Sequence, residues 1–241
     1  MKFDLSKVKT IDLSHRVIPL KDPVSPDDIA EAVATEGLVW PLFEYGSYVD
    51  NSIAQVVKLK THVKTHIESP WHLNHAGKCM SDYTPDRFFG RAVNMYFDVE
   101  PGTLITREMA EKVDNGRLRK GDIVIVHTSC DESLHESEFS SKIDFPMISN
   151  GFAEYVIEKG IKLWGQDNSI NVGYWEDYNG RRCRAHDLML ENDIPLLEMM
   201  TNLDALTQDT VLLLAIPGLM KFEGIDASPC VAVALEGFEL L

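Results

Sequence analysis

The sequence has few cysteines, and none of them lie in a zinc-binding pair. Only four of its 241 residues are cysteines, and no two of them form a CxxC pair; they are Cys79, Cys130, Cys183 and Cys230. A structural zinc knuckle is therefore not expected, and free thiols are the expectation for a reducing compartment. Cys130 could act as a nucleophile with His127 and His135 nearby. Proximity in sequence says little, however, about a catalytic dyad that is assembled in space.

Long apolar runs and an excess of positive charge are absent as well. No apolar run approaches the roughly 20 residues of a membrane span, and the first residues, MKFDLSK, lack the apolar core of a signal peptide. Lys and Arg number 23 against 38 Asp and Glu, so the net charge of −15 argues against nucleic acid or an anionic membrane as a partner. We expect an acidic, cytoplasmic protein, and at 241 residues one domain over 1–241 is the default.

Histidine, by contrast, is concentrated in one stretch. Residues 61–75 read THVKTHIESPWHLNH and hold four of the chain's eight histidines together with a glutamate. Imidazole and carboxylate are the ligands that suit Zn²⁺, Mn²⁺ or Fe²⁺. The sequence therefore predicts a metal site, with His62, His66, Glu68 and His72 as candidate ligands. The alternatives are a histidine-rich surface loop, or core histidines bonded to the backbone.

The spacing of these residues limits how they could converge. A helix would scatter them around its axis and would be broken from within by Pro70. A strand would put all four candidates on one face, but it would hold His62 and His66 about 13 Å apart at roughly 3.3 Å per residue. The chain must therefore bend after His62. We predict a buried strand from about Gln55 that enters an irregular loop over 64–70.

The rest of the chain predicts alternating helices and strands, which is typical of an α/β protein. Glu198 is unusual because it follows three apolar residues, and a carboxylate buried without a partner costs several kcal/mol. It therefore needs a cation or a hydrogen-bond donor nearby. The predicted helices are 26–35, 106–114, 149–159 (stopped by Gly160) and one that begins at His186, and the later predicted strands are 92–97, 123–127, 161–167, 194–197, 210–216 and one that ends near 235.

The histidine stretch resembles the signature of the cyclase family of metal-dependent hydrolases, which includes bacterial kynurenine formamidases and isatin hydrolases. That signature is His-x-Gly-Thr-His-x-Asp-x-Pro-x-His, and the chain reads His-Val-Lys-Thr-His-Ile-Glu-Ser-Pro-Trp-His from His62 to His72. It departs at Lys64, which replaces glycine, and at Glu68, which replaces aspartate. Lys64 must use an ordinary backbone conformation or bear strain of about 1–3 kcal/mol.

The resemblance implies a single mixed α/β domain of the swivelling β/β/α type, with the metal site at strand ends and loops. In relatives a histidine and a glutamate twelve residues apart complete the metal site, and His186 and Glu198 reproduce that interval. The implied ligands of one or two Zn²⁺ or Mn²⁺ ions are His62, His66, Glu68, His72, His186 and Glu198. In a site with one metal, His72 and His186 would instead be the catalytic base and acid.

The resemblance further implies hydrolysis of a small amide, cyclic amide or lactone in a homodimer or homotetramer. Trp40, Lys64 and Trp71 are the candidate substrate-binding residues. Lys64 is expected to neutralise Glu68 or a substrate carboxylate. Two alternatives stay open, a ligand-binding protein with a degraded metal site and a metal-dependent lyase or isomerase. Asp167 is expected to orient a site histidine or to cap a turn, Asp226 to be site-adjacent or loop-forming, and His15 to bond the backbone.

Overall fold

Helices and strands alternate in the middle of the chain in the computed structural model, which describes residues 5–17, 42–47, 53–58, 60–129, 145–170 and 183–237. The mixed α/β class predicted from the sequence is confirmed. The helix predicted at 26–35, together with Trp40, Cys130 and His135, lies outside the described residues.

The described residues form thirteen strands and three α-helices. The helices are α1 (Arg107–Asp114), α2 (Asn150–Lys159) and α3 (Ala185–Glu191). The strands are β1 (Lys9–Asp12), β2 (Leu42–Ser47), β3 (Ile53–Lys58), β4 (His66–Glu68), β5 (Phe89–Tyr96), β6 (Leu104–Ile105), β7 (Ile123–His127), β8 (Met147–Ile148), β9 (Leu163–Gln166), β10 (Leu196–Glu198), β11 (Thr210–Leu214), β12 (Ala227–Pro229) and β13 (Val233–Glu236).

Nine of these described strands form one sheet in the order β1-β13-β11-β5-β7-β9-β10-β4-β12. The strands β5, β7, β9 and β10 run parallel to their neighbours in this series, whereas β4 runs antiparallel to both β10 and β12. Parallel strands end at the same edge of a sheet, so the last residues of β7, β9 and β10 lie along one edge. β4, the next strand of the sheet after β10, begins at this edge with His66 and carries two of the predicted ligands.

The centre of the sheet is buried on both faces, as a parallel sheet requires. Every residue of β7 is buried. Val124 and Val126 pack with Phe152 of α2 in one core cluster, while Ile123 and Ile125 belong to a second cluster on the opposite face. The alternation follows from the two-residue period of a strand, and the helices α1, α2 and α3 all contribute to the first cluster.

The ends of α1 and α2 agree with the helices predicted at 106–114 and 149–159, and capping residues define them. The hydroxyl of Thr106 accepts a hydrogen bond from Met109 N at the start of α1, and Ser149 accepts one from Phe152 N at the start of α2. Gly160 ends α2 in the left-handed conformation with φ 73. None of the helices in the described part of the chain is long and apolar enough to cross a membrane.

The prediction of an irregular loop over 64–70 is wrong for its central part. His66–Glu68 forms β4, which pairs with a strand on each side. The predicted strand from Gln55 is instead part of β3, which ends at Lys58 and pairs with β2 outside the large sheet. A three-residue strand leaves almost no periodic pattern in a sequence, and the hydrogen bonds that define β4 come from residues more than a hundred positions away.

Candidate metal centre

Strand β4 is the element that brings the predicted ligands together. His66 lies opposite Glu198 of β10 on one side and opposite Pro229 of β12 on the other. Directly opposed residues of an antiparallel pair point to the same face, so His66 and Glu198 converge. Their Nε2 and Oε2 atoms are 3.8 Å apart, and both side chains are buried.

Three histidines contact the buried carboxylate of Glu68. Its Oε1 lies 2.7 Å from Nδ1 of His62 and 3.4 Å from Nε2 of His66, and its Oε2 lies 3.0 Å from Nε2 of His186. We call these four residues the Glu68 cluster. The extra methylene of glutamate, relative to the aspartate of the signature, does not prevent the carboxylate from reaching all three rings.

His186 and Glu198 approach β4 because the chain folds back on itself between them. His186 stands at the start of α3, the chain turns at Asn192 and Asp193, and β10 returns to end at Glu198. A backbone hydrogen bond from Arg184 N to the Asn150 side chain, at 2.6 Å, ties the start of α3 to α2. The twelve-residue interval is thus the length of one helix–turn–strand hairpin.

The carboxylates of Glu68 and Glu198 have opposite pKa shifts, although both are buried. Burial raises the pKa of either acid, but hydrogen bonds from His186, His62 and His66 outweigh it and hold the pKa of Glu68 well below its usual range. Burial and the neighbouring charge of Glu68 raise the pKa of Glu198 to about 7. Its Oε1 accepts a hydrogen bond of 2.8 Å from Ile170 N.

Two histidines of the cluster, His62 and His186, bind protons more strongly than a free imidazole does. Burial lowers the pKa of His62, but hydrogen bonds with Asp226 and Glu68 outweigh burial and raise it to about 9. For His186, burial is likewise outweighed by Glu68, and the pKa rises to about 9. A site that binds protons this strongly has the electrostatic character of a cation site, in which a divalent ion takes the place of the protons.

The donor atoms also have the spacing that a divalent ion needs. Among the described residues, single ligand atoms of His62, His66 and Glu68 lie within 4.8 Å of one another, and so do those of Glu68, His72 and His186. Bonds from Zn²⁺ to nitrogen and oxygen are about 2.0–2.2 Å, so such atoms can close around one ion with small side-chain movements. The ligand atoms of His62, His72 and Asp226 form a third such set, and Glu68 belongs to the first two.

Comparison with known proteins identifies the family of the chain. The family model Cyclase, described as "Putative cyclase", matches residues 10–170. The chain belongs to the cyclase family of metal-dependent hydrolases. It is 26% identical over 194 residues to a kynurenine formamidase of Bacillus cereus, covering 80% of this chain and 83% of that one. It is 27% identical over 214 residues to a kynurenine formamidase of Bacillus thuringiensis, covering 86% and 95%.

Solved structures show the same fold. An isatin hydrolase A from Labrenzia aggregata, bound to benzyl benzoate, superposes with a TM-score of 0.74 at 18% identity, covering 97% of this chain and 95% of that one. At this identity the likeness establishes the fold of the cyclase family and not the substrate.

Lys64, which departs from the cyclase signature, has a strained backbone conformation. Its φ is 51, in the left-handed region that glycine occupies freely and lysine does not. Its carbonyl accepts a 2.7 Å hydrogen bond from His66 Nδ1, which turns Nε2 of that ring toward Glu68. Only 7% of the surface of Lys64 is exposed. Its positive φ shows that the bend predicted after His62 uses a strained backbone conformation and not an ordinary one.

Asp226 was expected from the sequence to be either adjacent to the site or part of a loop, and the structure places it beside the predicted ligands. Its Oδ2 lies 2.8 Å from His62 Nε2 and 3.0 Å from His72 Nδ1. His72, with 38% of its side chain exposed, lies at the outer side of the cluster. The only sequence signal for Asp226 was its place before Ala227–Pro229, in a segment similar to the family.

The remaining predicted residues lie around this centre. Trp71 is half-buried, and its Nε1 donates a 3.0 Å hydrogen bond to the carbonyl of His75. Asp167 accepts hydrogen bonds from the amide and hydroxyl of Thr128, so it joins the residue after β9 to the end of β7 and does not cap a local turn through these bonds. The backbone amide of His15 donates to the Thr65 hydroxyl at 2.8 Å.

A second group of similar residue types lies at the end of β7. Nε2 of His127 is 3.0 Å from Oδ1 of Asp204 and 3.3 Å from the hydroxyl of Ser129. We call these three residues the His127 cluster. Both partners meet the same ring nitrogen, whereas a catalytic triad needs its nucleophile and its acid on opposite nitrogens. This cluster therefore lacks the geometry of a nucleophilic site.

Proposed function

We propose that the protein hydrolyses the carbon–nitrogen bond of a small formamide or cyclic amide. The observation that carries the proposal is the buried Glu68 carboxylate with three histidines directed at it. Membership of the cyclase family supports metal-dependent hydrolysis, and the kynurenine formamidase and isatin hydrolase relatives support an amide as the substrate class.

His62, His66, Glu68, His186 and Glu198 would hold one or two divalent ions. Nitrogen and carboxylate donors in this proportion favour Zn²⁺ or Mn²⁺ over Ca²⁺ and Mg²⁺. Such an ion activates a water molecule near neutral pH and polarises the carbonyl that the water attacks.

His72 is the residue that we assign to proton transfer. One of its ring nitrogens lies within 4.8 Å of ligand atoms of Glu68 and His186, and its side chain is more exposed than theirs. It can therefore take a proton from the attacking water and return it to the departing nitrogen. His186, whose Nε2 is 3.0 Å from Glu68, is better placed to hold the ion than to move a proton.

Lys64 and Trp71 are proposed to meet the substrate at the mouth of the site, and Trp71 stacks on His75 at a ring distance of 4.5 Å. The homodimer or homotetramer predicted from the resemblance stays a prediction, which light scattering would test.

Metal content and turnover together test the proposed function. The purified protein should carry about one or two equivalents of Zn²⁺ or Mn²⁺ per chain, and the metal-loaded protein should hydrolyse an aryl formamide or a cyclic amide when these are screened beside lactones, whereas hydrolysis of lactones alone would contradict the proposal. Removal of the metal should abolish turnover, and its return should restore it. A protein that binds no Zn²⁺ or Mn²⁺ at neutral pH would instead support the ligand-binding alternative that Lys64 and Glu68 left open.

A further inference from the structure

One carboxylate oxygen of Asp226, a residue outside the predicted ligand set, accepts hydrogen bonds from two histidines. Oδ2 of Asp226 lies 2.8 Å from Nε2 of His62 and 3.0 Å from Nδ1 of His72. The two imidazole rings are themselves close, with centroids 4.4 Å apart. Asp226 therefore links a candidate metal ligand to the candidate proton-transfer group.

A carboxylate can only accept hydrogen bonds, so each of these contacts fixes where a proton sits. His62 must carry a hydrogen on Nε2 to donate to Asp226. Its Nδ1, 2.7 Å from Glu68, carries a second hydrogen in the metal-free protein, and a bound divalent ion would replace that hydrogen while Asp226 keeps the one on Nε2. His72 must carry its hydrogen on Nδ1, which leaves the lone pair of a neutral ring on Nε2.

These two tautomers are the ones that the proposed chemistry requires. A metal ligand needs a lone pair on the nitrogen that faces the ion, and in His62 the nitrogen that faces Glu68 is Nδ1. A general base needs a free lone pair, which His72 then has on Nε2. With the opposite tautomer, either ring would direct a hydrogen at the group it is meant to bind.

Asp226 is held in place by contacts of both its side chain and its backbone. Its Oδ1 accepts a 3.0 Å hydrogen bond from the Thr61 hydroxyl. Its backbone carbonyl accepts hydrogen bonds from the amide and hydroxyl of Ser69, at 2.8 and 2.7 Å. The next residues form β12, which pairs with β4. The carboxylate is thus tied to the strand that carries the metal ligands.

We propose that Asp226 is a positioning residue that sets the tautomers of His62 and His72, so that one ring binds the metal through Nδ1 and the other accepts a proton on Nε2. This inference rests on the proposed function for its catalytic consequence. Its statement about protons and metal contact can be tested without any substrate.

The first test is long-range ¹H–¹⁵N NMR of the wild-type protein loaded with zinc, which is diamagnetic. We expect His62 to carry its hydrogen on Nε2 and to bind zinc through Nδ1, and we expect His72 to carry its hydrogen on Nδ1. Zinc bound through Nε2 of His62, or a hydrogen on Nε2 of His72, would overturn the inference.

The second test compares Asp226→Ala and Asp226→Asn with Asp204→Ala, which removes a carboxylate from the histidine of the His127 cluster. Asp226→Ala should weaken zinc binding about 10–100-fold in competition with a chelator, the usual effect of losing the partner of a ligating histidine. Asp226→Asn keeps an acceptor of similar shape without its charge, so its loss should be smaller. Asp204→Ala should bind zinc like the wild type.

A merely structural role for Asp226 would lower thermal stability in both Asp226 variants while leaving zinc affinity and the His72 tautomer unchanged, and that result would overturn the inference. If Asp226→Ala does not fold, Asp226→Asn and the wild-type spectrum still decide the question. Failure of the wild type to bind zinc would count against the proposed function itself. Zinc binding and turnover that are indifferent to Asp226 would count against this inference alone.

Discussion

The Glu68 cluster and the His127 cluster both join histidine to a carboxylate at the end of a strand, yet burial affects their histidines differently. His62 and His186 face the buried Glu68, and their pKa values rise to about 9 despite burial. His127 is also buried, but its partner Asp204 is 78% exposed, so burial dominates and lowers the pKa of His127. A buried carboxylate with several histidines makes a cation site, whereas an exposed carboxylate with one histidine leaves the imidazole neutral.

Removing the charge of Glu68 should have the largest effect on the difference between the Glu68 cluster and the His127 cluster. In Glu68→Gln the three histidines lose the carboxylate that they share, so we expect the metal content to fall. Turnover should drop by more than about 100-fold, which is more than the loss expected when a residue that only orients a metal ligand is removed. Asp204→Asn, the matched change in the His127 cluster, should leave both unchanged. Elemental analysis and steady-state kinetics measure the two, and equal losses in both variants would contradict the distinction.

Metal removal should have the next largest effect, on stability. Without an ion the buried Glu198 lies beside the charge of Glu68, which together with burial raises its pKa to about 7. Zinc at 100 times its dissociation constant should stabilise the fold by about 2.7 kcal/mol, because it binds only the folded chain. Thermal unfolding with zinc and with a chelator measures the difference. Asp204→Asn should keep the zinc-dependent shift and Glu68→Gln should lose it; a shift that persists in Glu68→Gln would place the ion elsewhere.

A strained backbone position lies beside the Glu68 cluster, at Lys64, and another lies within the His127 cluster, at Ser129, which allows a matched test of smaller size. Lys64 has φ 51 and Ser129 has φ 55. At either position the glycine variant should be more stable than the alanine variant by about 1 kcal/mol, because alanine keeps the strained conformation and glycine does not resist it. Denaturant unfolding measures this difference.

The two strained positions should differ in their effect on metal. The Lys64 carbonyl holds His66 Nδ1 at 2.7 Å, so the Lys64 variants should alter zinc affinity and the Ser129 variants should not. If Lys64 also binds a substrate carboxylate, Lys64→Gly should raise KM with little change in kcat. Wild-type kinetics and wild-type zinc affinity in Lys64→Gly would exclude both roles.

The smallest expected effect is the pH dependence contributed by His127. Its pKa in the folded protein lies below the ordinary 6.5, so near and below pH 6.5 the unfolded chain binds the proton more readily than the folded one. Its contribution therefore makes stability rise with pH through that window. In His127→Gln this part of the slope should disappear. Urea unfolding between about pH 5 and 7 measures it, and a steeper slope in His127→Gln would reverse the sign that we assign.

The sequence was sufficient to predict those parts of the molecule that rest on local chemistry. The ends of α1 and α2 follow from three residues. Thr106 and Ser149 accept hydrogen bonds from backbone amides of the first turn, and Gly160 ends α2. The meeting of His66 and Glu68 with His186 was predicted from the signature and the twelve-residue interval, and the structure places these side chains together. What the interval could not reveal was its physical origin in one helix–turn–strand hairpin.

The parts that were missed depend on contacts between distant residues. β4 is too short to leave a periodic pattern, and its pairing partners begin at Leu196 and Ala227. Asp226 is an ordinary loop aspartate in sequence, and only the folded chain places it between His62 and His72, more than 150 residues away. The choice between strained and relaxed backbone at Lys64 was likewise decided by the hydrogen bond that its carbonyl makes.

The pairing of β4 on both sides also dictates when during biosynthesis the metal can be captured. Protein synthesis releases β4 early, but the β10 strand that supplies Glu198 and the β12 segment that follows Asp226 leave the ribosome much later. A nascent chain that has exposed only the histidine motif has free imidazoles but no enclosure for an ion. We therefore expect metal loading to be a post-translational event, and a bound ion to serve as a mark that the polypeptide has been finished and folded.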